Sequence, residues 1–392
     1  MLIGEQGRIE QINASIQARA GIREVELRGR FVSPGLIDAH QHLDKTRTRA
    51  EVPNPQGTLL GAIEAFRSYA ARMTAEDITA RAERTVNACL ERGTVAIRTH
   101  ANVDPEARLK GVEALVALRE RVRDRMRVQV CAFLTGGATK VNAPAREWLE
   151  ESLRMGADVV GLNPNHADRP LELLDMVFEV AERHGKPIDL HLDEHLDAGR
   201  IQFDAVVERT RAHGMAGKVV ASHCSALSAL DAADAARVIE GFASAGIGVV
   251  TLPAANLFLQ GRDAGKLAPR GLTRVTGLQA AGVAVAAASD NIQDPFVPSG
   301  SGDLLEIARW SLLAAHLGSN DLPRAFEMVS SAPARLLGLD DYGLREGARA
   351  DLLITDAEDA ADLVAGGALA RTVLINGRVV SGAMIPGTSR GG

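Results

Sequence analysis

The sequence predicts an α/β fold: a (β/α)8 TIM-like barrel with a small flanking β-sandwich domain built from both chain ends. Three observations predict it. Eight short apolar segments alternate with helix-patterned segments between about residues 33 and 340, as in a parallel sheet closed on itself. The histidines and carboxylates that could do chemistry fall at the C-terminal ends of those segments, where barrels carry their sites. Strand-like pieces too short to form a core alone lie at both chain ends. An open doubly wound sheet is the alternative, but its Gly-rich phosphate fingerprint is missing after every strand.

Residues 1–32 supply the N-terminal part of the small domain, with strand-like Gly7–Ile12 and Val25–Gly29. Residues 33–340 form the barrel. Its expected strands are Leu36–His42, Thr94–His100, Arg127–Phe133, Asp158–Pro164, Pro187–Asp193, Lys218–His223, Gly246–Pro253 and Val283–Asp290. Between them, Thr74-Ala-Glu-Asp77 opens a helix with a capping-box-like start and Gly93 closes it. Leu109, Val112 and Val116 recur at helical spacing in the next. Residues 341–392 complete the small domain, where Asn376-Gly377 between two β-branched runs signals a hairpin.

Of the residues, 46% are apolar and 24% charged, as in an ordinary globular enzyme. A net charge of -6 gives no reason to expect nucleic acid or an anionic membrane as partner. No apolar run approaches the roughly 18 residues of a membrane span, and the N-terminus lacks a signal-peptide shape. Cys89, Cys131 and Cys224 show no paired spacing, so a reducing cytoplasm is the simplest compartment. A homo-oligomer is compatible with the sequence.

The chemistry centres on Phe31–Lys45, which presents His40 and His42 one residue apart. On a strand both imidazoles point to one face. Taken alone, the pair also fits two histidines capping an ordinary strand. The other strand ends add His100, His191 with Glu194, His223 and Asp290. Three imidazoles and a carboxylate in one barrel mouth suit one divalent ion, Zn or Fe, with a position open for water. A hydrogen-bonded core histidine is the lesser reading of His223, since it ends a barrel strand. For His100, support behind a ligand, substrate contact and packing all fit.

These motifs resemble the amidohydrolase superfamily, in the group of bacterial cytosine deaminase and isopropylammelide aminohydrolase. The resemblance covers nearly the whole chain through His40-Gln-His-Leu-Asp-Lys45, Arg98-Thr-His100, His191-Leu-Asp-Glu194, Ala221-Ser-His223 and Ala288-Ser-Asp-Asn-Ile-Gln-Asp-Pro295. It implies His40, His42, His191 and Asp290 as metal ligands, Glu194 as proton shuttle, and His223 as the group orienting water or polarising substrate. It implies water activated by the metal attacking a cyclic amidine carbon, with Asp290 as a base. Binuclear members carry a carboxylated lysine after the fourth strand; Leu162-Asn-Pro-Asn165 has none, so one metal is expected.

The pattern departs where the substrate would sit. Cytosine deaminase has a glutamine after the third strand, and Thr135 stands here. Asn291 follows the ligand aspartate, where cytosine deaminase has a second aspartate, and Phe296 replaces a tryptophan. With His100, these are the candidate substrate-binding residues. The first strand that the resemblance implies for the small domain is also missing from the short N-terminal region. The expected activity is deamination of a small nitrogen heterocycle: an aminopyrimidine, aminotriazine, creatinine-like ring or pterin. Release of an alkylamine from a triazine and opening of a cyclic amide are the alternatives within chemistry. A scaffold that kept the barrel and lost catalysis is the alternative outside it.

Overall fold

The computed structural model describes all 392 residues except 18–20, 142, 263, 266–268, 367, 369 and 384–392. The tail of the expected C-terminal segment 341–392 therefore lies outside the described residues. Eight parallel strands pair in chain order: Leu36–Gln41, Thr94–Val103, Arg127–Leu134, Val159–Leu162, Ile188–Leu192, Val219–His223, Gly248–Thr251 and Val285–Ala287. All are buried along most of their length, as a sheet covered on both faces requires. The first strand meets the chain beyond the last through a parallel bridge between Gln41 and Asp290. There the Asp290 N–H donates to the His40 carbonyl (2.9 Å) and the His42 N–H donates to the Asp290 carbonyl (3.1 Å). This seam closes the sheet into the TIM-like barrel.

The eighth strand is shorter than the expected Val283–Asp290. Its end turns across the barrel, with Asp290 in the left-handed region at φ 60°. Asp38 locks the turn, accepting from the Ser289 N–H (3.2 Å), the Ser289 hydroxyl and the Gln41 amide (3.0 Å).

The outer helices follow their sequence signals. Thr74 caps Ala75–Glu91 by accepting from the Asp77 N–H (3.2 Å), and Gly93 ends the turn at φ 101°. The left-handed backbone favours glycine there, and a Cβ would also push on the end of the Leu353 side chain at 2.9 Å. An additional helix, Leu59–Ala70, precedes Ala75–Glu91 and had no counterpart in the sequence pattern.

At the chain ends, Phe31–Pro34 pairs antiparallel with Leu352–Thr355, followed by Arg371–Ile375 and Arg378–Ser381. Asn376 and Gly377, at φ 49° and 73°, make the expected hairpin turn. One face of this sheet, with Leu353, Val373 and Ile375, joins the barrel core. The other, with Leu352, Ile354 and Leu374, packs on Ile9 to form a second small core. Ile9 belongs to a separate antiparallel pair, Leu2–Ile3 with Ile9–Gln11, so the two sheets sandwich that core. Leu2–Ile3 is thus a short strand near the start of the chain, in a sheet of its own with Ile9–Gln11.

Val25–Gly29 is not a strand. Arg28 and Gly29, both at positive φ (53° and 79°), turn the chain before a ladder can form. The N-terminal contribution to the four-stranded sheet comes instead from Phe31–Pro34. Among the described residues, no helix is long and apolar enough to cross a membrane.

Candidate metal centre and active site

The strand ends bring His40, His42, His191, His223, Glu194 and Asp290 together, all nearly or fully buried. The Nε2 atoms of His42 and His191 lie 3.0 Å apart. Asp290 Oδ1 lies 3.3 Å from His42 Nε2 and 3.5 Å from His40 Nε2. Four ligands about 2.0–2.1 Å from one centre in a tetrahedron would stand about 3.4 Å apart. His40 Nε2 and Asp290 Oδ1 are buried with no hydrogen-bond partner, and such atoms are costly unless something else satisfies them. Burial holds the His40, His42 and His191 rings below their ordinary values, His42 down to about 4. Neutral imidazole is the ligand form. Burial works against the charge of Asp290, but the His40 and His42 rings outweigh it and hold the carboxyl well below the usual range. The donor set, its spacing and its protonation fit a divalent ion.

The tautomer of His40 follows from its neighbours. Asp189 is a carboxylate and can only accept, so the Ser222 hydroxyl donates to it (2.9 Å). The Ser222 oxygen therefore accepts from His40 Nδ1–H (2.9 Å), which leaves a lone pair on Nε2 facing Asp290. Burial disfavours the charge on Asp189, but His100 and Arg98 hold its carboxyl below the usual range; the Arg98 guanidinium donates to it at 3.0 Å.

His223 is fixed in the same way. The Asn256 amide N–H groups donate to Ser225 Oγ (3.0 Å) and to the Gly271 carbonyl. Its oxygen therefore faces His223 Nδ1 (3.1 Å), which carries the proton. The Nε2 lone pair looks toward Asp290 Oδ2 at 4.0 Å. Glu194 lies 3.7 Å from His223 Nδ1, and burial pushes its carboxyl up to about 7.

A cavity of about 390 Å³ opens above this cluster. Glu194, His223, Asp290, Thr135, Asn291 and Phe296 all line it. His100 does not: its ring stacks on His40 at 3.9 Å, and its Nε2 lies 3.4 Å from Asp189. The structure places it behind His40, away from the cavity wall. Sequence reasoning missed Lys45, whose buried Nζ lies 2.8 Å from His42 Nδ1 and donates to Asp44 (3.1 Å) and Asn102 (2.9 Å). It also missed Asp189, Ser222 and Asn256, which bear on the rings only through the fold. A lysine three residues after a ligand histidine was the one available signal.

The Amidohydrolase family model matches residues 23–147 and 126–381. The chain belongs to the amidohydrolase family. Among its relatives in that family is the pterin deaminase of Rhizobium rhizogenes, 32% identical over 383 residues, covering 97% of this chain and 87% of the relative. The 5-methylcytosine deaminase of Klebsiella pneumoniae, solved with 5-fluorocytosine, superposes with a TM-score of 0.91 at 33% identity, covering 98% and 94% of the two chains. The N-isopropylammelide isopropylaminohydrolase of Burkholderia multivorans superposes with a TM-score of 0.84 at 32% identity, covering 97% and 95%. As an amidohydrolase, the chain is an enzyme that hydrolyses C–N bonds other than peptide bonds.

Proposed function

We propose that this amidohydrolase is a mononuclear, metal-dependent deaminase of a small nitrogen heterocycle: an aminopyrimidine, aminotriazine, creatinine-like ring or pterin. The observation that carries the proposal is Glu194, a carboxyl raised to about 7 in the same cavity wall as His42, His191 and Asp290. His40, His42, His191 and Asp290 hold one ion, Zn or Fe. When bound, such an ion supplies Lewis acidity and draws the pKa of a water toward neutrality. No lysine follows the fourth strand to bridge a second ion.

Substrate enters with its amidine carbon toward Asp290 and His223 and a ring nitrogen toward Glu194. Asp290 takes the proton of the attacking water. Glu194 protonates the ring nitrogen, making the carbon more electrophilic. The proton that Asp290 took from water then passes to the amino group, which leaves as ammonia while the new hydroxyl returns its proton to Glu194. His223, its Nδ1–H held by Asn256 and its Nε2 turned toward Asp290, is placed to orient the attacking water or polarise the substrate. Thr135, Asn291 and Phe296 read the rest of the ring. Asn291 commits an amide N–H to Asp294 (2.6 Å), which leaves its carbonyl oxygen to accept. The named activities of the relatives on pterin and 5-methylcytosine support this substrate class. Alkylamine release is the same attack with another leaving group, so the deciding assay reads ammonia and amines from a heterocycle panel, with metal analysis of the same sample. No release from any ring would overturn the proposal.

Two further results are expected. Cytosine should fall about ten- to a hundredfold below the best ring, because Thr135 offers one hydroxyl where a two-sided amide would pair. An unpaired buried amide costs about 1–3 kcal/mol, at about 1.36 kcal/mol per factor of ten. Thr135→Gln should raise cytosine turnover relative to that ring, and cytosine heading the wild-type panel would refute this. Separately, Ser222→Ala should weaken metal affinity by roughly 10–100-fold, because His40 loses the acceptor that fixes its Nε2 lone pair. Unchanged affinity in a metal-buffered titration would show that Ser222 only packs.

A further inference from the structure

The floor of the cavity is polar, but one wall is not. The helix Leu59–Ala70 presents Leu59, Leu60, Ile63 and Phe66 to the cavity, positions that share one helical stripe. The stripe runs from floor to rim. Phe66 is buried at its inner end, with Lys45 Nζ 5.5 Å from its ring centroid. Leu59 and Ile63 are half-buried, and Leu60 is 64% exposed at the outer end.

The helix is held in place. Thr58 caps it through the Gly61 N–H (3.1 Å), and Asn54 donates to the Pro295 carbonyl (2.9 Å) in the loop that carries Asn291 and Phe296. The charged groups at the rim pair with acids: Arg67 with Glu106 at 2.6 Å and Lys140 with Asp168 at 3.0 Å. Lys45 pairs with Asp44 at 3.1 Å, so among the described residues lining the cavity no lysine or arginine is left without an acid to call for an anionic ligand. What remains uncovered is apolar surface, continuous with the reacting groups. The cavity, about 390 Å³, also falls in the range of roughly 300–1,000 Å³ that larger, drug-sized ligands fill.

We infer that this wall is a subsite for an apolar alkyl or aryl substituent, carried by the ring on the side remote from the C–N bond that is cut. The preferred substrates are then substituted heterocycles, not bare ones. The inference rests on the ring chemistry proposed above for the floor of the same cavity. Each buried methylene is worth roughly fourfold, so a partly covered four-carbon chain should raise kcat/KM roughly 10–100-fold over the bare ring.

The test uses one turned-over ring in three forms, bare, butyl and phenyl, with wild type and the Leu60→Ser/Ile63→Ser variant. Both positions are partly exposed, and thermal unfolding of the variant checks that it is folded. The expected result is a butyl-to-bare ratio of kcat/KM well above ten in wild type that collapses toward one in the variant. A wild-type ratio near one, or a ratio that survives in the variant, overturns the subsite and leaves the deaminase proposal standing. If no ring is turned over, calorimetric binding of the same three compounds to the metal-loaded protein decides. Tighter binding of the butyl and phenyl forms that the variant abolishes upholds the subsite, and equal binding overturns it.

Discussion

Glu194→Gln is expected to lower turnover by roughly 10²–10⁴ and to leave the metal content of the protein unchanged. Glutamine keeps the shape and fills the same space beside His223, but it has no proton to deliver. Two features support Glu194 as the proposed donor. It lines the cavity next to Asp290 and His223, and burial raises its carboxyl to about 7, so a useful fraction is protonated at neutral pH. The sign of the pH effect follows. An acid that must be protonated supports full kcat/KM below its pKa and loses about tenfold per unit above it. Wild type should show that decline on the alkaline side, and the residual activity of the variant should not. Metal lost together with activity would instead make Glu194 a ligand. Near-normal turnover would mean that the proton comes from Asp290 alone.

Asp290→Ala is expected to be more damaging, abolishing both metal retention and turnover. Among the described residues, Asp290 is the only carboxylate within 3.5 Å of the Nε2 atoms of His40 and His42, and in the proposed mechanism it is also the base. Chelation of wild type should give the same inactive state, restored by about one equivalent of Zn or Fe per chain. Stability should report the same event. A ligand at a thousandfold its Kd adds about 4 kcal/mol, so chelated wild type should melt lower, and the variant should melt alike with and without chelator. Two ions per chain, or full activity after chelation, would refute a single essential ion.

The barrel was legible because its strands are apolar runs bounded by turn residues, and because four of them end in site residues: His40 with His42, His191, His223 and Asp290. Strand ends converge in a closed sheet, so neighbours in the site could be named without knowing any distance. The polar residues behind the rings were not legible. Ser222 meets His40 across 182 residues of sequence, and Asp189 meets Arg98 across 91. Nothing local distinguishes such a serine from one that merely packs. Val25–Gly29 misled for the opposite reason: its alternation is real, with Val25 and Leu27 half-buried, but two left-handed residues end it. The helix Leu59–Ala70 escaped because its apolar stripe faces a cavity where the core would be expected, so its pattern could not be matched to a strand beneath it.

The seam between Gln41 and Asp290 makes the site a clasp on the barrel's hoop. His40 and His42 stand on the first stave, Asp290 just past the last, and 248 residues separate His42 from Asp290 in the chain. Between these two edges the backbone contributes a bridge and a pair of hydrogen bonds where other neighbouring strands share a longer ladder. The hoop is therefore thinnest where the chemistry is. Amide exchange should register this: the N–H groups of His42 and Asp290 should exchange sooner in chelated protein than those of the second and third strands, and should fall into step with them once the ion is restored. Loading the ion would then tighten a seam that the backbone already closes, tying the firmness of the barrel's hoop to its readiness to work.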